Sequence, residues 1–261
     1  MRCILVFLCL SIQICQAQQW FGELMVGTAS YNGDLTQSAI SLKRLRPAIQ
    51  FNLKYNSGDV LNIRAGIGFG QLYGADRLNR DTGLKSRNLD FKTNIIELNV
   101  CGEYNLLDPE IYTAYPYVFG GVGVFHFNPY TYDKNNNKTF LRPLSTEGQG
   151  LSEYPNRKKY SLYQFCLPVG TGFKVDIRQK WELCYEFGYR FTFTDYIDDV
   201  SKSYVSLQTL EQQRGATAAE LAYRKSIPFM EDGEARGNKK VRDMYFFSGL
   251  KVAVKLGKPK K

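Results

Sequence analysis

The only histidine of the chain, His126, is the first group to weigh, because an imidazole placed beside a hydroxyl and a carboxylate works as a general base. It sits between Phe125 and Phe127 at the end of an apolar stretch, with no nucleophile at a defined spacing, so an interfacial side chain is expected and catalysis is not. Asp195, Asp198 and Asp199 have the oxygen-rich character that calcium favours. They lack the repeated ligands and glycine of a calcium loop, so they are read as the acidic start of a loop that meets Arg or Lys nearby. Cys101, Cys166 and Cys184 do not make a disulfide framework. Cys166 and Cys184 share an inward parity on neighbouring strands, but if Val175 faces Trp181, Cys166 faces Arg190 and lies about 20 Å along the strand from Cys184. Glycines 66, 68, 70, 120, 121, 123, 170 and 172 open no helix, so they are read as space for bulky neighbours and not as phosphate cradles. No cofactor, metal or enzymatic role is expected.

The elements that would carry these residues are strands. Ile49, Phe51, Leu53 and Tyr55 alternate with Ala48, Gln50, Asn52 and Lys54, and Leu61, Ile63, Ala65, Ile67 and Phe69 alternate with Asn62, Arg64, Gly66 and Gly68. Only Asn56-Ser57-Gly58-Asp59 separates the two runs, which predicts a tight hairpin. The clearest alternation runs from Trp181 to Phe193: Trp181, Leu183, Tyr185, Phe187, Tyr189, Phe191 and Phe193 face one way, and Glu182, Cys184, Glu186, Gly188, Arg190 and Thr192 the other. Further strands are predicted near Phe21–Tyr31, Thr93–Glu103, Tyr115–Phe127, Leu162–Val175 and Met244–Leu256, making eight. Tyr115–Phe127 is ambiguous, since both its faces are apolar or glycine. Long connections at 32–45, 73–91, 129–159 and 195–242 alternate with short ones at 56–59, 106–114 and 176–180, and Leu207 to Tyr223 has the composition of a short helix.

Arg2, the apolar Cys3 to Leu10 and the small-residue site Cys15-Gln16-Ala17 read as a signal peptide over 1–17. Ile12-Gln13-Ile14 lacks the small residues of a lipid-anchor signal before Cys15. No later run of about 18 apolar residues is present, so membrane crossing falls to strands. The net charge of +9 is scattered through loops and the tail Lys255 to Lys261, without a helix or aromatic platform to organise it, which argues against nucleic acid. The 18 Tyr and 17 Phe fit the aromatic rims of a membrane barrel.

A soluble sandwich or lipocalin-like barrel alternates in the same way but turns its apolar face inward. The charges discriminate between the two: Glu23, Glu97, Glu103, Glu182 and Glu186 share one face with Lys54, Arg64, Lys174, Arg190 and Lys251. This balanced set can pair inside an eight-stranded barrel whose interior is just filled by side chains, which leaves no open pore. The reading is all-β: an eight-stranded antiparallel outer-membrane β-barrel over 18–256 with long extracellular loops, a signal peptide, a basic tail at 257–261 and both termini periplasmic.

Four segments carry a resemblance. They are Glu23-Leu24 followed by YNGDL at 31–35, RNLDFKTNIIEL at 87–98, RFTFTDYIDDVS at 190–201, and RGN at 236–238 running into DMYFFSG at 243–249. In order and spacing they resemble the PorG family, outer-membrane components of the type IX secretion system of Bacteroidetes. Met244 stands where a tryptophan is expected, and the chain ends Leu256-Gly257-Lys258-Pro259-Lys260-Lys261 without a terminal aromatic. The resemblance implies a barrel that anchors a periplasmic ring, made of a lipoprotein and its partner, to the outer membrane. Under this topology the expected contacts lie in the Leu106 to Ala114 turn, with Leu106, Leu107, Asp108, Pro109 and Glu110, and in the tail, with Lys255, Lys258, Lys260 and Lys261. A generic structural or adhesive barrel is the second expectation, and a lipid-modifying barrel enzyme using His126 the third.

Overall fold

The computed structural model describes residues 19–36, 41–56, 60–178, 180–225 and 232–256. The expected signal peptide, the 57–59 turn and the tail with Lys258, Lys260 and Lys261 lie outside the described residues. Strands form where the period-two alternation runs: β1 Gln19–Asn32, β2 Arg46–Asn56, β3 Leu61–Ala75, β4 Asp90–Asn105 and β5 Ala114–His126. A small hairpin follows, β6 Tyr130–Tyr132 and β7 Lys138–Phe140, and then β8 Tyr163–Ile177, β9 Trp181–Thr192 and β10 Met244–Leu256. The helices are short: α1 Thr82–Arg87, α2 Leu207–Arg214 and α3 Ala216–Ala222. The single helix expected over Leu207 to Tyr223 is split in two at Gly215, whose φ of 89° no helix accommodates. No helix among the described residues is long and apolar enough to cross a membrane.

Eight antiparallel strands close into a ring. The order β3-β2-β1-β10-β9-β8-β5-β4 is completed by β3 against β4, and β6 and β7 extend from β4 beyond the ring. Closure runs from Trp20 opposite Leu256 to Asn32 opposite Met244, so no ring strand keeps a free edge. One register expectation is corrected. Trp181 lies opposite Ile177, not Val175, and Cys166 opposite Thr192, not Arg190, because the β8–β9 turn is tighter than assumed. Cys184 then lies opposite Lys174, far from Cys166, and the three described cysteines are free and buried.

Which face points outward settles the class of barrel. Leu53, Leu61, Ile63, Leu98, Val100, Val122, Phe165 and Leu250 are all exposed on the outer wall, while the charged set faces inward. On β4 the outward set Ile96, Leu98, Val100, Gly102 and Tyr104 covers about the length of strand, 9–11 residues, that crosses a bilayer at a tilt. A soluble barrel would be arranged the other way round, so this one is solvated by lipid. Trp20, Tyr104 and Trp181 ring the short-turn end of the wall, and Tyr132, Tyr163 and Phe193 the long-loop end.

All ten charged lumen residues are 4% exposed or less. Lys251 lies 2.8 Å from Glu186, 3.3 Å from Glu23 and 3.4 Å from Glu103; Arg64 lies 2.5 Å from Glu186 and 2.8 Å from Glu103. Lys174 pairs with Glu103 at 2.6 Å, Arg190 with Glu97 at 3.1 Å, and Lys54 with Glu182. β5 resolves its ambiguity by turning Tyr115, Tyr117, Phe119 and Phe125 inward. Each lumen cation then lies over an aromatic face: Arg64 over Phe119 at 4.4 Å, Lys174 and Lys251 over Tyr117, Lys54 over Phe21 and Arg190 over Phe247. Space for these rings comes from glycines, since a Cβ on Gly170 would lie 2.5 Å from Phe119 and one on Gly172 equally close to Tyr117. Gly120, by contrast, points outward, where a Cβ would meet only the Pro168 carbonyl at 3.9 Å, and is not part of that packing.

Candidate functional site

A sealed lumen leaves the two ends of the barrel to meet other molecules. At the short-turn end, Asp108 builds the β4–β5 turn: its side chain accepts from the Glu110 N–H at 2.9 Å, and its carbonyl accepts from Ile111 and Tyr112 at 3.1 and 2.9 Å. Asp108 and Pro109 therefore shape the turn. The turn presents apolar groups. Leu106 and Leu107 are exposed, as is Tyr112, and Ile111 is 72% exposed, beyond the end of the strands. Ile111 and Tyr112 were not singled out from sequence, although four apolar side chains in so short a connection were the available signal.

Of the expected tail contacts only Lys255 is described. It does not touch the Leu106–Tyr112 turn, but the same rim connects them: the Asp176 N–H donates to the Thr113 carbonyl at 2.7 Å, and the Lys255 N–H to the Lys180 carbonyl at 3.0 Å. Exposed Arg178 and Lys180 lie between, giving an arc that is apolar at one end and basic at the other.

At the opposite end the long connections fold into a cap. Its core is continuous with the upper lumen: Tyr31, Leu35, Phe91, Phe127, Tyr160, Ile197, Val200, Leu221 and Tyr245 are buried in one cluster. Tyr160 stacks on Tyr196 at 4.8 Å and on Phe127 at 6.0 Å, and α2 and α3 cover Leu151 and Val205. Beneath them lies a polar knot. Asp198 and Asp243 both accept from the Tyr31 hydroxyl, Asp243 also accepts from the Ile197 N–H at 2.8 Å, and Tyr245 donates to Glu97 at 2.7 Å. Arg87 donates to Asp76, to the Asp34 carbonyl and to the Arg236 carbonyl. The four sequence segments that carry the family resemblance, far apart along the chain, thus bond to one another at the base of the cap.

The acidic run behaves differently from expectation. Asp198 and Asp199 are buried, and hydroxyls hold their carboxylates: Tyr31 for Asp198, and Tyr160 at 2.8 Å with Thr146 for Asp199. The nearby cation, Arg236, donates to the backbone carbonyl of Asp199 at 2.6 Å, which the left-handed Asp199 backbone (φ 65°) presents to it. Among the described residues no cluster of metal-ligating side chains occurs. His126 lies at the end of β5 with its ring 4.8 Å from that of Tyr163, in the interfacial position expected.

Burial pushes Asp199 up to about 6 and Asp195 up to about 7. It raises Asp198 and Asp243 well above their ordinary value, with the neighbouring charge of Asp243 adding to the rise at Asp198 and that of Asp195 to the rise at Asp243. These carboxyls hold their protons more tightly in the folded cap than in an open one, where an aspartate titrates near 3.9. Their contribution to cap stability is therefore fully present below about pH 4 and is lost as pH rises through 6 to 7. Hydrogen exchange of the loop amides, corrected for intrinsic rate, should report freer opening at pH 7.5 than at 4.5, and D199N should flatten the difference. Opening that is independent of pH would contradict this.

Residues 1–215 match a family model described as a domain of unknown function, DUF6089. No curated protein matches the sequence. Among solved structures, a major outer membrane protein from Thermus thermophilus is similar at 13% identity and a TM-score of 0.46, covering 92% of this chain and 100% of that one. Neisserial surface protein A is similar at 10% identity and 0.44, covering 91% and 97%. The attachment invasion locus protein Ail of Yersinia pestis, in complex with the heparin analogue sucrose octasulfate, is similar at 6% identity and 0.41, covering 92% and 99%.

Proposed function

The chain belongs to the DUF6089 family, and from its sealed lumen and apolar short turn, together with what the resemblance of its four segments to the PorG family implies, we propose that it is a non-catalytic outer-membrane anchor, of the type IX secretion kind, that holds a periplasmic lipoprotein ring. The observation that carries this reading is the β4–β5 turn. Leu106, Leu107, Ile111 and Tyr112 stand exposed past the end of the wall, where a turn that met only water would be polar. Anchoring is also what a filled barrel is suited to, since charge-paired side chains occupy the space a pore would need. In this orientation the short turns and both strand termini face the periplasm, and the cap faces outward.

The basic arc of Arg178, Lys180 and Lys255 extends the contact toward an acidic partner surface. Replacing Leu107 and Ile111 together by Asp should cut recovery of ring components with the barrel at least about tenfold, as expected when two apolar anchors are lost from an interface. Secretion should fall with it, while the barrel keeps its heat-modifiable electrophoretic mobility. Undiminished co-purification from the folded variant would overturn the assignment. A second reading, an adhesive or ligand-binding barrel, draws on the folded cap, whose loops pack on a core shared with the upper lumen and on a second of their own.

A further inference from the structure

The cap carries a cleft of about 560 Å³, lined by Arg157, Lys202, Lys239 and Lys240 together with Gly237 and Asn238. Its volume falls within the roughly 300–1,000 Å³ of small-molecule sites. Its walls are set in advance. Residues 202–204 pair with 233–237: Ser203 bridges Ala235, and the Gly237 N–H donates to the Lys202 carbonyl at 3.0 Å. Buried Glu147 fixes the Lys202 backbone from below, accepting its N–H at 3.0 Å. The Arg157 guanidinium is fixed by the Glu147 and Ser203 carbonyls at 2.8 and 2.9 Å. Asp34 accepts from the Asn238 N–H, and the turn that follows, closed by the Val241 N–H on the Asn238 carbonyl, holds Lys239 and Lys240 at the mouth.

The charge of this cleft is not neutralised. Among the described residues no carboxylate lies within 4.0 Å of any of the four cations; of the nearby acids, Glu147 is paired with Arg236 and Glu234 with Lys225, while Asp232 and Asp34 are held by neutral donors, the Tyr154 hydroxyl and the Asn238 N–H. The adjoining cleft of about 310 Å³ contrasts with it, because there Arg87 is paired with Asp76 and Lys225 with Glu234. Nor does the basic cleft have an aromatic wall to stack a base, or any apolar side chain larger than Ala235. A ligand that fits is compact, hydrophilic and strongly anionic. Two phosphomonoesters carry about −3 to −4 near neutral pH, which matches four cations.

We propose that this cleft binds a saccharide bearing two phosphomonoester groups. The source is either a phosphorylated glycolipid of the surrounding leaflet or a free phosphosugar, and the proposal does not depend on what the short-turn end holds. The test uses the full barrel in phosphatidylcholine nanodiscs, titrated calorimetrically with glucose 1,6-bisphosphate. Saturable binding is expected that weakens with salt, with no heat from glucose itself. The variant K202Q/K239Q/K240Q should bind at least about tenfold more weakly, because charge-assisted bonds carry the affinity. The variant K43Q/K85Q/K134Q, which removes the same charge elsewhere on the cap, should bind as the parent does. No binding by the parent chain, or an equal loss in both variants, overturns the proposal. Repeating the titration with diphosphoryl lipid A in the disc distinguishes the sources: loss of bisphosphate binding assigns the cleft to the glycolipid, and unchanged binding assigns it to a free saccharide.

Discussion

Replacing Lys251 by Met is expected to destabilise the barrel by about 3–5 kcal/mol, the cost of leaving a buried carboxylate network one cation short. Lys251 on β10 is fully buried and lies within 3.4 Å of Glu23, Glu103 and Glu186, so no other lumen cation serves three acids this closely. Without it Glu103 keeps Lys174 and Arg64, and Glu186 keeps Arg64, but the lumen acquires a net negative charge that neither water nor lipid can screen. Met preserves the stem that packs on Tyr117 and so isolates the charge. The double variant K251M/E186Q restores neutrality and should recover much of the loss. Urea unfolding from lipid vesicles, followed through Trp20 and Trp181 at the short-turn rim, measures both. A loss below about 1 kcal/mol in K251M, the scale of an exposed ion pair, would mean that the network does not hold the barrel together.

Replacing Glu147 by Ala should open the cap and leave the barrel intact. Its carboxylate is fully buried and accepts from the Ser201 N–H at 2.9 Å and the Lys202 N–H at 3.0 Å, while pairing with Arg236 at 3.3 Å. It thereby ties the 142–160 loop to two stretches of the 193–243 connection. Removing it leaves a buried guanidinium without its carboxylate and two amides without acceptors, a loss of about 3–5 kcal/mol. Because Glu147 touches only loop segments and the ring strands keep their own ladder and lumen ion pairs, that loss falls mainly on the cap. Trypsin cleavage after Lys202 or Arg236 should accelerate by about 100- to 1,000-fold or more, in step with the larger open population. Unchanged cleavage would show that Glu147 is not the tie.

The wall of the barrel was legible because a strand in lipid repeats every two residues and the sequence repeats with it. The ten lumen charges were placed on their correct face from that parity alone, and the eight ring strands lie where it put them, although β3 runs on from Phe69 to Ala75 and the β6–β7 hairpin was read only as part of the 129–159 loop. β5 was not legible, since an apolar residue facing lipid and an aromatic packed over a lumen cation look the same in one dimension. The β8–β9 register slipped by two residues for a related reason: parity fixes the face but not the offset.

At the candidate site the order is reversed. The turn was located from its length, yet its most exposed apolar side chain, Ile111, was overlooked beside the polar turn-formers Asp108 and Glu110. The cap was seen only as long loops and a helix, because its contacts join residues far apart in sequence. Tyr31 with Asp198 and Asp243, or Arg87 with Arg236, has no signature in spacing. The family-like segments could be read as strings; that they form one knot is a property of the fold.

The most direct test of the anchor account is cross-linking in intact cells from a single cysteine at Ile111 or, separately, at Asn136 in the β6–β7 hairpin, in a chain whose other cysteines are replaced. The account predicts that the Ile111 position captures a periplasmic lipoprotein identified by mass spectrometry and that the Asn136 position does not. Capture of surface proteins from Asn136 alone, with none from Ile111, would contradict it.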